Sequence, residues 1–484
     1  MPRIPFHRPA TSLTRRSQAP AARLLRSVAA AAAVLLSACA TLPDTDAARA
    51  EITQPVSFET ARGPVSESKN RAILRALESA SGSRDILRKH LADEEAINRD
   101  SPLVLGNRLV LLQDGPATYQ AMFAAIQSAR DHINLETYIF EDGEIGGEFA
   151  RLLLTKQASG VQVNVIYDSV GSITTPRAFF EDLKAGGIQL VEFNPVNPAK
   201  VKNDKAWLLN NRDHRKLLVI DGKIAFLGGI NISESYSSGS RPGSASPRRK
   251  QAEPGSGWRD THVQIEGPVV AEFQKYFLDT WQRQSHRPLA GRTYFPRLDH
   301  RGDEIVRALA SKADSTDSPI YLTLLSVISH AERNIHLTNA YFVPDPKLLQ
   351  ALTGAAQRGV DVQMILPGKT DSWAVFHAGR SHYAELLRAG VRLYERNGAI
   401  LHSKTASVDG VWATIGSTNL DWRSFLHNDE LNAVVLGTDF ARQMDAMFEQ
   451  DRAASRVVDP DQWARRSVFL RLQEWLARRF EYWL

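Results

Sequence analysis

His214-Arg215-Lys216-Leu217-Leu218-Val219-Ile220-Asp221-Gly222 and His402-Ser403-Lys404-Thr405-Ala406-Ser407-Val408-Asp409-Gly410 share one pattern, His-x-Lys-x4-Asp. In an extended strand, alternate residues share a face, so each stretch sets an imidazole beside an ammonium. Leu217 and Val219 are free to face a core. The Asp-Gly pair after each run predicts a tight turn into a returning strand. Working outward, Gly228-Gly229-Ile230-Asn231 matches Gly416-Ser417-Thr418-Asn419. Asp260-Thr261-His262 with Gly267 is mirrored by Glu430-Leu431-Asn432 with Gly437. Upstream, the strand-like runs 133–143 and 335–345 each precede a helical stretch, Gly147 to Ala158 and Lys347 to Gln357. Gly160-Val161 and Gly359-Val360 then open alternating apolar strands, 161–167 and 360–366. Each half continues into a second helix, closing at Leu183-Lys184-Ala185-Gly186 or Leu387-Arg388-Ala389-Gly390. Strand, helix, strand, helix, strand predicts an α/β unit with a largely parallel sheet. Its recurrence predicts two tandem α/β lobes related by pseudo-two-fold symmetry, with a shared site between them.

That constellation suits phosphoryl chemistry. Two lysines and two asparagines can hold and neutralise a phosphodiester anion. One histidine can attack phosphorus and form a covalent intermediate. The other can protonate the leaving alcohol and then activate the second nucleophile. An Asp or Glu behind each ring would fix its tautomer. The lysines supply the positive charge, so this chemistry needs no metal and no cofactor. The candidate catalytic set is His214, Lys216, Asp221, His402, Lys404 and Asp409. Asn231, Ser417, Asn419, Asp260 and Glu430 are the substrate-binding candidates.

With both motifs intact, the sequence resembles the phospholipase D superfamily. Within it, the chain is similar to bacterial cardiolipin synthases. The likeness is carried by Tyr167-Asp168-Ser169-Val170-Gly171-Ser172, Asp213-His214-Arg215-Lys216, Gly228-Gly229-Ile230-Asn231, Trp258-Arg259-Asp260-Thr261-His262, Tyr341-Phe342-Val343-Pro344-Asp345 and Arg358-Gly359-Val360. It runs from about residue 105 to about 455. The resemblance implies two phospholipase D-like lobes, a phosphohistidine intermediate, His214 as nucleophile and His402 as general acid/base. It implies phospholipid substrates, phosphatidylglycerol or similar, and a phosphatidyltransferase making cardiolipin. Hydrolysis of phospholipid to phosphatidic acid is the alternative within the same chemistry, and a nuclease or other phosphodiesterase is a further one. A non-catalytic scaffold predicts a degenerate motif, and both motifs here are complete.

Of 484 residues, 43% are hydrophobic and 23% charged, a balance that excludes a mostly disordered chain and a polytopic membrane protein. One cysteine excludes an internal disulfide and a Cys-rich zinc site. The formal net charge of +5 invites a nucleic-acid reading, but its placement removes the case. Arg3, Arg8, Arg15, Arg16, Arg23 and Arg26 fall in the first 38 residues, which hold no acid. Without those six, 53 of the 59 basic residues face 54 acidic ones, so no nucleic-acid partner is expected.

The basic start, the apolar run Val28 to Ala38 and the small residues that end it predict a secretory signal peptide over 1–38. Leu36-Ser37-Ala38-Cys39 resembles the bacterial lipobox, which implies lipidation of Cys39 after cleavage. The expectation is an exported lipoprotein tethered to a membrane surface on the periplasmic side, with Ala40 permitting outer-membrane sorting. Related synthases usually carry transmembrane helices there instead. Residues 39–104 then read as a tether and helical segment, 105–300 as the first lobe and 301–455 as the second. Residues 456–484 read as a basic amphipathic helix, rich in aromatics, that either lies on a membrane or packs on the core. Residues 237–257, rich in Ser, Gly, Pro and Arg, read as a low-complexity loop, either solvated or a lid or anionic-lipid contact near the cleft mouth.

Overall fold

A computed structural model of the chain describes Leu42, residues 55–197, 210–240, 257–313, Ser315 and residues 318–484. The signal peptide, Cys39, residues 43–54 of the expected tether and residues 241–256 of the 237–257 loop lie outside the described residues.

The Val-, Ile- and Leu-rich runs of both halves enter one hydrogen-bonded sheet. The first half supplies β1 (Leu103–Gln113), β2 (His132–Thr137), β3 (Gln162–Asp168), β4 (Gln189–Phe193), β5 (Lys216–Ile220), β6 (Ile224–Gly228) and β7 (Thr261–Glu266). The second supplies β8 (Glu304–Ser311), β9 (Asn334–Asn339), β10 (Asp361–Pro367), β11 (Arg392–Arg396), β12 (Lys404–Val408), β13 (Trp412–Gly416) and β14 (Asn428–Leu436). Spatial order runs β4-β3-β2-β5-β6-β7-β1 and continues as β8-β14-β13-β12-β9-β10-β11. The second half repeats the first in reverse, so a pseudo-two-fold axis passes between β1 and β8. Those two strands join the lobes at Val104↔Val306 and Asn107↔Glu304.

The sheet is mixed rather than largely parallel. Among these fourteen strands only the β2-β3-β4 and β9-β10-β11 pairings run parallel. The cause is the Asp-Gly turn. Asp221 (φ 52°) and Gly222 (φ 63°) both take left-handed conformations, as do Asp409 (φ 53°) and Gly410 (φ 63°). Two such residues in succession make a hairpin turn whose twist matches its strands. Lys223 N accordingly donates to Ile220 O at 2.9 Å, and β6 returns antiparallel to β5.

Helices cover both faces. In the first lobe α1 (Asp114–Ser128), α2 (Glu144–Ala158) and α3 (Arg177–Ala185) bury Tyr119, Phe149 and Phe180 against Leu218 and Ile220. In the second, α5 (Pro319–Ser329), α6 (Pro346–Gln357) and α8 (Tyr383–Ala389) do the same for Ala406 and Val408. The opposite face is covered by α4 (Val270–Ser285) and α9 (Thr438–Ala453). There Phe273, Phe277, Met444 and Met447 meet Leu217, Val219 and Ile415. Near the C-terminus α7 (Trp373–Arg380) packs against α10 (Val468–Arg478). The expected single helix over 456–484 is three pieces, Pro460–Ala464, α10 and a 3-10 turn at Glu481–Trp483.

The geometry corrects the role expected for Asp221 and Asp409. Each lies at the far end of its strand from the motif histidine. Asp221 accepts backbone N–H bonds from Arg130 (2.9 Å), Asp131 (2.8 Å) and His132 (3.0 Å), the lead-in to β2. Asp409 accepts from Glu332 (2.9 Å), Arg333 (2.8 Å) and Asn334 (3.0 Å), the lead-in to β9, and from Ser83 Oγ at 2.9 Å. A carboxylate with several acceptor sites suits three converging donors. These aspartates therefore fix the parallel strand beside each motif. Asp409→Ala should lower unfolding stability by about 1–3 kcal/mol, because it orphans those donors. Denaturant titration reads that loss, and the folded fraction should keep near wild-type turnover.

Candidate active site

The two motif histidines sit just before β5 and β12, where each lead-in docks on the other lobe. Arg212-Asp213 pairs in parallel with Asn428-Asp429, and His214 N donates to Asp429 O at 2.9 Å. Reciprocally, Arg259 forms a bridge with Leu401, and His402 N donates to Arg259 O at 2.7 Å. This exchange sets each imidazole against a carboxylate of the other lobe. His214 Nδ1 lies 3.0 and 3.2 Å from the oxygens of Glu430. His402 Nδ1 lies 2.7 Å from Asp260 Oδ2. An ionised carboxylate only accepts, so Nδ1–H points at it and Nε2 is left as the reactive nitrogen.

Asp260 and Glu430 were expected to bind substrate. Their place behind the rings, fully buried, makes them positioning residues instead. Their surroundings differ. Ser417 Oγ donates to Glu430, whereas the equivalent Gly229 has no room for a side chain: a Cβ there would lie 2.2 Å from Asp260 Oδ1. Burial pushes the Glu430 carboxyl up to about 7. Burial also opposes the charge of Asp260, but His402 and Lys404 outweigh it and hold that carboxyl below its ordinary value.

Both lysines converge on the histidines. Lys216 Nζ donates to His214 O, and Lys404 Nζ to His402 O, with Lys404 Nζ 3.0 Å from His402 Nδ1. Burial depresses Lys216 to about 7 and Lys404 to about 8. His402 is lowered to about 4 by burial and by Lys404, against the pull of Asp260. His214 is held well below its ordinary value by burial and then by Lys216, Lys404 and His402. Burial thus favours the neutral form of each of these groups, and a bound anion favours the charged form.

The asparagines are placed unequally. Asn231 accepts from Ile139 N at 3.2 Å and donates to Tyr236 OH at 3.2 Å, and that hydroxyl lies 3.2 Å from His402 Nδ1. Asn231 therefore reaches the site through Tyr236. Asn419 Oδ1 is buried with no hydrogen-bond partner among the described residues.

Sequence reasoning missed the aromatic wall. Tyr138 lies edge-on to His214 at 5.1 Å, and Trp258 lies 5.2 Å from His402, between ring centroids. Tyr341 stands 6.1 Å from His402 and donates to Asp371 at 2.7 Å. It also missed two buried arginines that brace the exchange. Arg215 donates to Glu430 O at 3.2 Å, Thr280 Oγ1 at 2.7 Å and Ser311 O at 3.0 Å. Arg259 grips Asp451 through Nε at 2.8 Å and its terminal nitrogen at 2.7 Å. Arg215 occupies the variable position of its motif, so no pattern could single it out.

Two lysines and two imidazoles in a buried cleft suit a phosphate-like anion. Bound negative charge raises both lysine pKa values, so binding must take up protons above about pH 7. Calorimetry of sulfate binding in buffers of different ionisation enthalpy should show that uptake. Affinity should fall about tenfold per pH unit for each lysine above about pH 8.

A sequence profile of the family described as "Cardiolipin synthase, PLD-like domain" matches residues 122–241 and 324–452, one segment in each lobe. The cardiolipin synthase of Geobacillus kaustophilus is 35% identical over 379 residues, 78% of this chain and 72% of that protein. The cardiolipin synthase of Listeria monocytogenes is 33% identical over 398 residues, 82% of this chain and 78% of that protein. The crystal structure of phosphatidylserine synthase from Haemophilus influenzae aligns with a TM-score of 0.59 at 14% identity. That alignment covers 77% of this chain and 92% of the other, a likeness of fold. With the profile on both lobes and relatives matched over most of their length, the chain belongs to the cardiolipin synthase family of the phospholipase D superfamily, a family of enzymes.

Proposed function

We propose that the chain is a phosphatidyltransferase that makes cardiolipin from two molecules of phosphatidylglycerol. The reciprocal His–carboxylate pairs flanked by two lysines carry this reading, together with the kinship to cardiolipin synthases. Lys216 and Lys404 neutralise the phosphodiester. His214 Nε2 attacks phosphorus, the P–O bond to the headgroup glycerol breaks, and His402 gives that oxygen its proton. His402 then takes a proton from the hydroxyl of a second phosphatidylglycerol. That oxygen attacks phosphorus, the P–N bond breaks, and His214 returns to its starting form.

One feature favours this division of labour, since both histidines stand below their ordinary pKa and either could serve as the neutral nucleophile. His402 is backed by a carboxylate held ionised, which supports a cationic ring once substrate charge offsets the lysines. Purified protein given phosphatidylglycerol alone should release one glycerol per cardiolipin formed. Phosphatidic acid as the dominant product would instead make the chain a hydrolase. His214→Ala should abolish turnover, and Asp260→Asn should lower kcat by about 10²–10⁴ with KM held.

The same reading includes export and a lipid anchor at Cys39, supported by the leader's charge, its apolar run and the lipobox-like ending. No helix among the described residues is long and apolar enough to cross a membrane. Cys39→Ala should abolish metabolic labelling with a fatty acid. Unchanged labelling would remove the anchor from this account.

A further inference from the structure

The terminal helix α10 is built inside out. Glu474 is 3% exposed, and with Ala477 it forms the side turned to the protein. Glu474 pairs there with Arg466 at 2.8 Å, while Ala477 packs with Ala378 of α7 and with Val343. The apolar residues face the other way. Val468 is 80% exposed, Phe469 67% and Trp475 52%, with Leu472, Leu476, Phe480 and Trp483 also on the surface. Positions 468, 472, 475 and 476 share one helical face, opposite Glu474. A helix that serves only to cap a core buries its apolar face, and this one does the reverse.

Charge accompanies the apolar face. Arg465, Arg471 and Arg479 make no ion pair among the described residues, and Arg479 lies over the Trp475 ring at 5.0 Å. Both glutamates of the tail are engaged, Glu474 as above and Glu481 with His382 at 3.2 Å and Arg478 at 3.7 Å. The exposed side therefore carries net positive charge beside aromatic and aliphatic groups, the composition of a helix that lies in the headgroup layer of an anionic bilayer.

The face is also joined to the cleft. Tyr482 packs on Trp422 at 5.5 Å and on His427 at 6.5 Å between centroids. His427 O accepts from the backbone N of Arg212, in the lead-in to His214. Trp373 opens α7 and is 51% exposed, two residues after Asp371, which holds Tyr341. Ile173, 65% exposed, occupies the corresponding loop after β3, where Gly171 approaches Tyr138. Apolar side chains thus stand at the rim in both lobes.

We infer that α10 and the terminal turn dock on an anionic phospholipid bilayer, with Ile173 and Trp373 beside it, so that the cleft opens onto the lipid surface. This rests on the lipid-substrate reading above and names the surface that delivers the substrate. It is independent of the Cys39 anchor.

The test uses the full chain carrying Cys39→Ala and His214→Ala, which removes both the anchor and turnover. It should sediment with vesicles of phosphatidylglycerol and phosphatidylethanolamine, and much less with vesicles of phosphatidylcholine. Phe469→Ser with Leu472→Ser and Trp475→Ser should abolish that binding. Arg471→Glu with Arg479→Glu should weaken binding to the anionic vesicles roughly tenfold or more. In a His214 background, the triple variant should lose turnover of vesicle lipid yet keep turnover of short-chain phosphatidylglycerol dissolved as monomers. Vesicle binding unchanged by the triple variant overturns the inference. So does a dimer, measured by sedimentation equilibrium, that the triple variant dissociates while vesicle binding stays the same. Absence of short-chain turnover in the parent overturns the proposed reaction and leaves the sedimentation result to be read on its own.

Discussion

Each reactive histidine is oriented by a carboxylate from the opposite lobe. Glu430 stands behind His214 and Asp260 behind His402, and short strand pairings lock both exchanges. Much of the architecture serves that crossing. The β1–β8 seam holds the lobes in one sheet, so the exchange cannot slip without breaking strand pairing. Arg215 and Arg259, both of the first lobe, reach across to the second, Arg215 to Glu430 O and Arg259 to the Asp451 carboxylate. Their burial is affordable only because each guanidinium meets several acceptors at once. The same burial depresses the lysines and histidines, and a bound anion would offset it.

The duplicated α/β units and the paired motifs were legible because they rest on local rules. Period-two runs, the left-handed glycines Gly160 (φ 92°) and Gly359 (φ 93°) and the Asp-Gly turns each have a short-range cause. The helices Glu144–Ala158 and Pro346–Gln357 begin within a few residues of where their periodicity starts. Strand direction was less legible. β5 and β12 look like members of a parallel sheet until the hairpin turn is given priority over the βαβ rhythm.

What the sequence could not carry is the crossing itself. Asp260 and Glu430 stand out as equivalent positions, but a pattern within each half cannot say which half's histidine each will face. Asp221 and Asp409 were misread for a related reason. Motif membership marks a recurring residue and says nothing of whether its role is chemical or architectural. Their left-handed φ, read with the Asp-Gly signal, was the clue to a turn. Tyr138 and Tyr341 were hidden because the runs 133–143 and 335–345 leave the sheet early. Asn231 draws Ile139 out of the ladder by accepting its N–H, and the tyrosine just before it swings to the cleft. In the tail, spacing alone identified an amphipathic helix, but only the burial of Glu474 shows which side faces in.

The crossed arrangement has a consequence for ancestry. A half carrying one motif has its histidine but not the carboxylate that orients it, since that group comes from the facing half. Such a half could complete a site only by meeting a second copy of itself about a true two-fold axis. In that state both histidines would be identical, and neither could be tuned as acid without spoiling the other as nucleophile. In one chain the two sides are free to differ, and they do: Glu430 has Ser417 beside it, while Asp260 has Gly229.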